Sequence, residues 1–467
     1  MPPIIATFLF VIGIAGLYIL NRDPQAKTSK ALWIPVIWLL IAGSRPVSAW
    51  QDMGHVISPD QYLDGSPLDR NIFAGLLAIG IIVLLARGAT VLRLLRANAP
   101  IIIFLLYCAT SILWSDYPDV AFKRWIKSLG DYVMILIVLT DTDRISAVKR
   151  VLARVGFLLL PVSVLLIKYY PEIGRKYAVS WDPTVFAVGV TTDKNMLGVT
   201  CLVFGLGSVW CFLQELRAEK TARRNRPLIA HGAIIAITCW LFWRANSITS
   251  LSCFVLASGL IAVMSFPSIA RKRAIVHTLV VAGVVFCFSA LFLDLGGSLL
   301  EAVGRNSTLT GRTELWETLQ RMTANPVLGA GFESFWLGKR LEKLWNIYWW
   351  HPNESHNGYL ETYLNLGWTG VLLLAVIVMT GYRNVVKMLN EDPKTGPLWL
   401  AFFFVGVTYN FTEAATRTTS LVWIFFILAT FALPKAPVSL DAPEPLRRLG
   451  GTRKKAILRR TPEEIPA

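Results

Sequence analysis

Charge is scarce in this sequence. Only 16% of its 467 residues are Asp, Glu, Lys or Arg, against about 25% in an ordinary soluble domain. That excludes a water-facing surface over most of the chain. Cysteine is also sparse. Cys108, Cys201, Cys211, Cys239, Cys253 and Cys287 all lie inside apolar runs with no CxxC pair, so they read as small core residues rather than a disulfide framework. The five histidines form no HxxxH or HExxH spacing, which removes the support for a zinc site. There is no Gly-rich phosphate loop, and neither a nucleotide-sugar donor nor a metal is expected. No 20–50-residue repeat is visible.

What the chain has in quantity is apolar length: 54% hydrophobic residues and a mean hydropathy of +0.52. A bilayer-crossing helix needs about 20 mainly apolar residues. Thirteen stretches answer that description, at 3–20, 30–43, 71–86, 99–113, 125–140, 151–167, 196–213, 228–243, 248–266, 274–294, 357–380, 397–411 and 419–434. The first has no basic n-region and no small-x-small cleavage site, so it reads as a retained span rather than a signal peptide. The expected fold is an all-α polytopic membrane protein with about 12–13 transmembrane helices.

The net charge of +16 would suggest nucleic acid in a soluble protein. Here the basic residues occupy the connections, where membrane orientation explains them. Taken alternately, one set of connections (21–30, 87–98, 141–154, 214–227, 267–273, 381–396 and the tail) holds 29 Lys and Arg in 106 residues. The other set holds 17 in 142. The positive-inside rule then puts the first set in the cytoplasm, the N-terminus outside and the C-terminus inside. Four parts follow: an N-terminal bundle over 1–294, one long outer loop over 295–356, C-terminal helices over 357–434, and a basic, Pro-containing tail over 435–467. The tail is expected to be disordered near anionic headgroups.

The outer loop is organised. Leu315, Trp316, Leu319 and Met322 recur with helical spacing before Asn325-Pro326 ends the run, predicting an amphipathic helix at the outer membrane face. Phe332, Phe335, Trp336, Trp345, Tyr348, Trp349 and Trp350 follow. Such rings suit either the headgroup level or the face of a sugar. His351, Asn353, Glu354, His356 and Asn357 then converge on a helix that places His356, Leu360 and Tyr363 on one face. In the fifth span, Asp131 is expected to pair with Lys127 one turn away.

Gly311-Arg312-Thr313-Glu314-Leu315-Trp316, Asn325-Pro326-Val327-Leu328-Gly329-Ala330-Gly331 and His356-Asn357-Gly358-Tyr359-Leu360 through Leu366-Gly367 resemble the O-antigen ligase superfamily. That superfamily contains lipopolysaccharide O-antigen ligases and exopolysaccharide polymerases. Looser matches lie upstream in Gly174-Arg175-Lys176-Tyr177, Thr192-Asp193-Lys194-Asn195-Met196-Leu197-Gly198 and Asn246-Ser247-Ile248-Thr249-Ser250. Ile248 stands where members often carry a basic residue, so that position receives no charge role. The resemblance implies glycan transfer from a polyprenyl (undecaprenyl) pyrophosphate carrier at the periplasmic face of a bacterial inner membrane. The acceptor would be another glycan or lipid A-core, and other polysaccharide assembly and export proteins would be partners. No cofactor is implied.

Residue chemistry agrees with that reading. A lipid pyrophosphate leaving group needs fixed cations, and Arg312, Arg175 and Lys194 all fall on the outer side by the charge rule. Arg offers a planar fork to phosphate, Lys a point charge. His356 is the candidate proton acceptor by type, or alternatively a pyrophosphate contact. Glu361 and Glu413 are candidates to orient it or to bind sugar, with Asn195, Asn357, Tyr359 and Trp316 as substrate contacts. Trp114-Ser115-Asp116-Tyr117-Pro118 favours the exopolysaccharide branch, with joining to lipid A-core as the alternative. A transporter or lipid-linked-sugar flippase is the rival of another class. It predicts paired broken helices in matching halves or charges through mid-membrane.

Overall fold

With no water in a bilayer core, an apolar run must satisfy its own backbone, and helices do so. The computed structural model describes residues 1–51, 65–177, 185–219, 224–292, 309–323 and 325–433. The expectations for the tail and for the start of the outer loop lie outside the described residues. Every one of the thirteen apolar stretches carries a helix. The first nine long helices are α1 (Pro3–Leu20), α2 (Trp33–Ala42), α3 (Pro67–Ala86), α4 (Gly88–Ala97), α5 (Ala99–Thr110), α6 (Pro118–Leu139), α7 (Arg144–Tyr169), α8 (Lys194–Arg217) and α9 (Asn225–Ala245). Then come α10 (Ile248–Met264), α11 (Arg273–Phe292), α12 (Leu309–Arg321), α13 (Gly338–Ile347), α14 (Gly358–Glu391), α15 (Gly396–Tyr409) and α16 (Leu421–Thr430). Six of them, α1, α3, α7, α8, α9 and α14, are long and apolar enough to cross a membrane singly. Helices α4 and α5 pass that test as a pair bent by 90°.

The chain is therefore an all-α polytopic membrane protein. Among the described residues, the only sheet is a short antiparallel pair of strands. Its strands, β1 (Arg175–Tyr177) and β2 (Val185–Ala187), pair Arg175 with Ala187 and Tyr177 with Val185. The sequence reading placed no strand there, because three residues are too few for a period to register.

Helices α15 and α16 are apolar all round and buried almost end to end, as helices without a polar face must be. Around them α7, α8, α10 and α14 share one continuous core with α2, α5 and α6. Asp131 of α6 does not engage Lys127 as its main partner. Its Oδ1 accepts from Trp38 Nε1 at 2.8 Å and its Oδ2 from the Thr419 amide at 2.9 Å. Lys127 Nζ sits 4.3 Å from the centre of the Phe73 ring. A carboxylate buried in the bundle thus takes fixed donors on two sides, tying α2 and the turn after α15 to α6.

Helices α12 and α13 make a second, separate core. Leu315, Leu319, Phe335, Trp336, Leu341, Leu344 and Tyr348 pack there with Leu364. The apolar stripe of α12 is thus buried against protein, not laid on the membrane face as its periodicity suggested. Four of the loop's aromatics, Phe332, Phe335, Trp336 and Tyr348, are likewise core residues, while Trp349 and Trp350 stay exposed. The Trp114–Pro118 segment is the ledge on which this layer rests. Ser115 Oγ meets Ser334 Oγ at 2.7 Å, and Asp116 pairs with Arg340 at 2.6 Å.

One joint fixes this layer to the bundle. Helix α14 breaks at Gly367, where φ is 63° and ψ is −168°, a region that essentially only glycine enters. The break frees carbonyls and amides that the Asn325–Gly331 turn satisfies. Ala330 and Gly331 donate to the Leu364 and Asn365 carbonyls at 3.0 and 2.9 Å, and the Trp368 amide donates to Pro326 at 2.9 Å. A Cβ at Gly367 would lie 2.2 Å from the Val327 carbonyl oxygen, and one at Gly329 would lie 2.4 Å from Asn365. We expect Gly367→Ala to destabilise the protein by about 2 kcal/mol or more through strain and collision. A marked fall in thermal unfolding temperature in detergent is the readout. Gly13→Ala, with nothing within 4 Å of the new methyl, should leave it unchanged. Equal stability of the two variants would contradict this role for the break.

Candidate active site

Three elements distant in sequence deliver five ionisable groups to one place. Helix α12 supplies Arg312, the turn before α14 supplies Glu354 and His356, and the turn after α15 supplies Glu413 and Arg417. Signs alternate along the chain of contacts. Arg312 lies 3.5 Å from Glu413 Oε1. Glu413 Oε2 and Glu354 Oε1 each lie 3.2 Å from His356 Nδ1. Glu354 Oε2 accepts from Arg417 at 3.0 Å. Glu413 is buried, and the other four side chains are 22–33% exposed.

Backbone and neighbours hold this arrangement in place. His356 itself adopts φ 50°, a strained conformation of the kind that clusters at functional sites. Trp316 Nε1 donates to the Ser355 carbonyl at 2.7 Å, fixing the turn that carries Glu354 and His356. Asn357 caps α14 by accepting from the Tyr359 and Leu360 amides and donates to the Phe411 carbonyl at 3.2 Å. Tyr359 donates its hydroxyl to the Val407 carbonyl at 2.9 Å. Of the residues expected to touch substrate, Trp316, Asn357 and Tyr359 thus have their polar ends engaged by the framework.

Glu361 does not orient His356. Its oxygens accept from Trp336 Nε1 at 2.7 Å, the Ser355 amide at 3.1 Å and Asn365 Nδ2 at 3.1 Å. It is buried and shapes the turn from below. Arg175 donates Nε to the Ile167 carbonyl at 2.9 Å, and Lys194 Nζ stands 4.7 Å over the Phe186 ring. Both therefore lie at the hairpin rather than in the five-group chain. Asn195 is in the first turn of α8, whose N-cap is Asp193.

The looser upstream motifs nonetheless reach the site by packing. A Cβ at Gly198, one turn into α8, would lie 2.6 Å from Ser250 Oγ and 2.7 Å from Ser247 Oγ. Thr249 beside them accepts from Thr412 Oγ1 at 3.2 Å. The Thr412 carbonyl in turn takes Arg312 at 2.7 Å. Sequence reasoning missed Arg417 altogether and left Glu354 without a role. The Glu413–Arg417 spacing is an i, i+4 charge pair, but it lies in a turn where no helical period draws notice.

Electrostatics follow from the contacts. Burial disfavours a charged imidazole. The Glu413 hydrogen bond and the fields of Glu354 and Glu413 outweigh it, so His356 is held above its ordinary value. Burial raises the Glu354 carboxyl against the opposing pull of His356 and Arg417. Arg417 is raised further, burial notwithstanding, chiefly by Glu354. His356 Nδ1 and one oxygen from each of Glu354 and Glu413 lie within 4.8 Å of one another, a spacing a cation would accept. Yet two guanidiniums already compensate the two carboxylates, which makes the set a weak trap for added positive charge.

Residues 228–375 match the family described as O-antigen ligase. Over 313 residues the chain is 26% identical to the exopolysaccharide production protein ExoQ of Rhizobium meliloti (strain 1021), covering 65% of this chain and 68% of that protein. Because the folded-state affinity of His356 for its proton is raised, the bound proton stabilises the fold fully below the ordinary imidazole range. That contribution is lost as pH rises through the raised value. Glu413→Gln removes an anion from Nδ1 and should lower the His356 midpoint in a histidine NMR titration. An unmoved midpoint would contradict the network.

Proposed function

We propose, from the premise that the chain belongs to the O-antigen ligase superfamily, that it transfers a glycan from a polyprenyl pyrophosphate carrier at the periplasmic face of the inner membrane. The observation that carries this reading is the alternating chain Arg312–Glu413–His356–Glu354–Arg417. With His356 protonated it holds three cations against two anions, an excess suited to a pyrophosphate. In the reaction an acceptor hydroxyl oxygen bonds to the anomeric carbon. The bond from that carbon to the pyrophosphate oxygen breaks, and the lipid pyrophosphate leaves with the electron pair. Arg312 supplies a fork to the leaving oxygens, and the imidazolium supplies Nε2–H, since Nδ1 is committed to the carboxylates. The acceptor's proton passes to the carboxylate limb, where Glu354 has the raised proton affinity. Trp350, its ring centre 6.3 Å from that of His356, and exposed Trp349 offer faces for a sugar.

The raised His356 value supports a cationic role over that of a neutral base. Transfer by purified enzyme should therefore decline as pH rises through the His356 midpoint; a rate that climbs through it would assign His356 the base role. Arg312→Ala should lose about 3–4 kcal/mol of transition-state stabilisation, a hundredfold or more in rate, with Arg312→Lys recovering part. Chelators should leave the rate unchanged.

Repeat-unit polymerisation is favoured over ligation to lipid A-core by the likeness to a protein named for exopolysaccharide production. In a deletion strain a polymerase leaves single repeats on the carrier, whereas a ligase leaves long carrier-bound chains. Sizing the lipid-linked pool distinguishes them. The charge rule supports an outside N-terminus and an inside C-terminus. Ser334 is buried and unsuitable for labelling, so Lys339→Cys is the outer probe and Arg271→Cys the inner one. Labelling of both by an impermeant thiol reagent in intact cells would overturn that orientation.

A further inference from the structure

A cavity of about 340 Å³ opens between α5, α14 and α16, far from the five-group site. Its apolar floor is Ile101 and Ile377, and its rim carries Thr380, Arg383, Asn384 and Lys387. Arg383 lies sixteen residues beyond the Gly367 break and Lys387 twenty. At 1.5 Å per residue these are roughly 24 and 30 Å along the helix, the thickness of a hydrocarbon core. The rim is thus at the opposite headgroup level from His356, whichever way the chain is oriented.

Two further observations describe the occupant. Arg383 and Lys387 are exposed one helical turn apart, and among the described residues neither forms an ion pair. Helix α4 ends at the cavity mouth with Ala97. It is amphipathic, carries Arg93 and Arg96, and meets α5 at 90°, the attitude of a helix lying in the interface. The wall itself is fixed. Asn98 donates to the Ala432 carbonyl at 3.1 Å and accepts its amide at 2.7 Å, while Asn384 donates to the Thr430 carbonyl at 2.9 Å.

We propose that this cavity binds the phosphate headgroup of an anionic glycerophospholipid, with an acyl chain running over Ile101 and Ile377. Arg383 grips the phosphate through its fork and Lys387 adds a point charge. The chain's own tail is a poor rival, since residues 434–467 hold eight basic and four acidic side chains and share the sign of the rim.

The test is native mass spectrometry of the full chain released from detergent with added phosphatidylglycerol or phosphatidylcholine. Phosphatidylglycerol should remain bound where phosphatidylcholine is stripped. Arg383→Gln with Lys387→Gln should weaken its retention about tenfold, whereas Arg271→Gln with Lys272→Gln should not. Lys387→Arg, which keeps the charge, should retain the lipid and guards against a folding defect. Equal retention of both lipids, or full retention by the Arg383/Lys387 double variant, would overturn the proposal. So would displacement by glycerol phosphate at equal concentration, which would make the ligand a free phosphate ester. Preferential displacement by a polyprenyl phosphate would give the cavity to the carrier and overturn it as well.

Discussion

His356 Nδ1 lies equally close to two carboxylates, and that shared contact is what this end of the molecule is organised around. Each carboxylate turns its second oxygen to a guanidinium, so the imidazole is the midpoint of a chain with a cation at either end. Neither acid is left uncompensated, which a half-buried anion requires. Because the groups come from α12, the turn before α14 and the turn after α15, the chain of charges adds polar contacts between three segments whose helices also pack.

The rest of the α12–α13 layer holds these segments at that spacing. The break at Gly367 is paired backbone to backbone with the Asn325–Gly331 turn, which sets α12 and α13 on the end of α14. Asn410 performs the same service on the other side: its carbonyl accepts from the Gly358 amide at 2.9 Å and its Oδ1 from the Ala415 amide at 2.9 Å. From below, Glu361 fastens Trp336, Ser355 and Asn365 together. The support of the site thus consists of satisfied polar groups, which rigidify a structure where they are buried.

The helices were legible because apolar length is a direct physical demand of the bilayer: each expected stretch carries a helix, and six of these helices are long and apolar enough to cross singly. The cluster of Arg312, His356 and Glu413 was legible through residue type and motif order. What misled was meaning rather than position. The stripe Leu315–Leu319 reads identically whether it faces lipid or a protein core, and only the partner helix α13 decides. Glu361 looked available and Asp131 looked paired with Lys127, because hydrogen bonds to distant indoles and amides leave no local signature. Arg417 was invisible for the same reason: its partner Glu354 is sixty-three residues away. The short hairpin at Arg175–Ala187 fell below the length at which a period can register.

The claim that the five groups act as a unit is tested most directly by a double-variant cycle on the two acids that share Nδ1. Transfer rates would be measured for Glu354→Gln, Glu413→Gln and the combination. Groups working through one imidazole are strongly non-additive. The combined variant should therefore be little slower than the slower single one, with a coupling of about 1 kcal/mol or more. Losses that simply multiply would mean that the two carboxylates act separately, and the shared contact at His356 would not be the organising feature of the site.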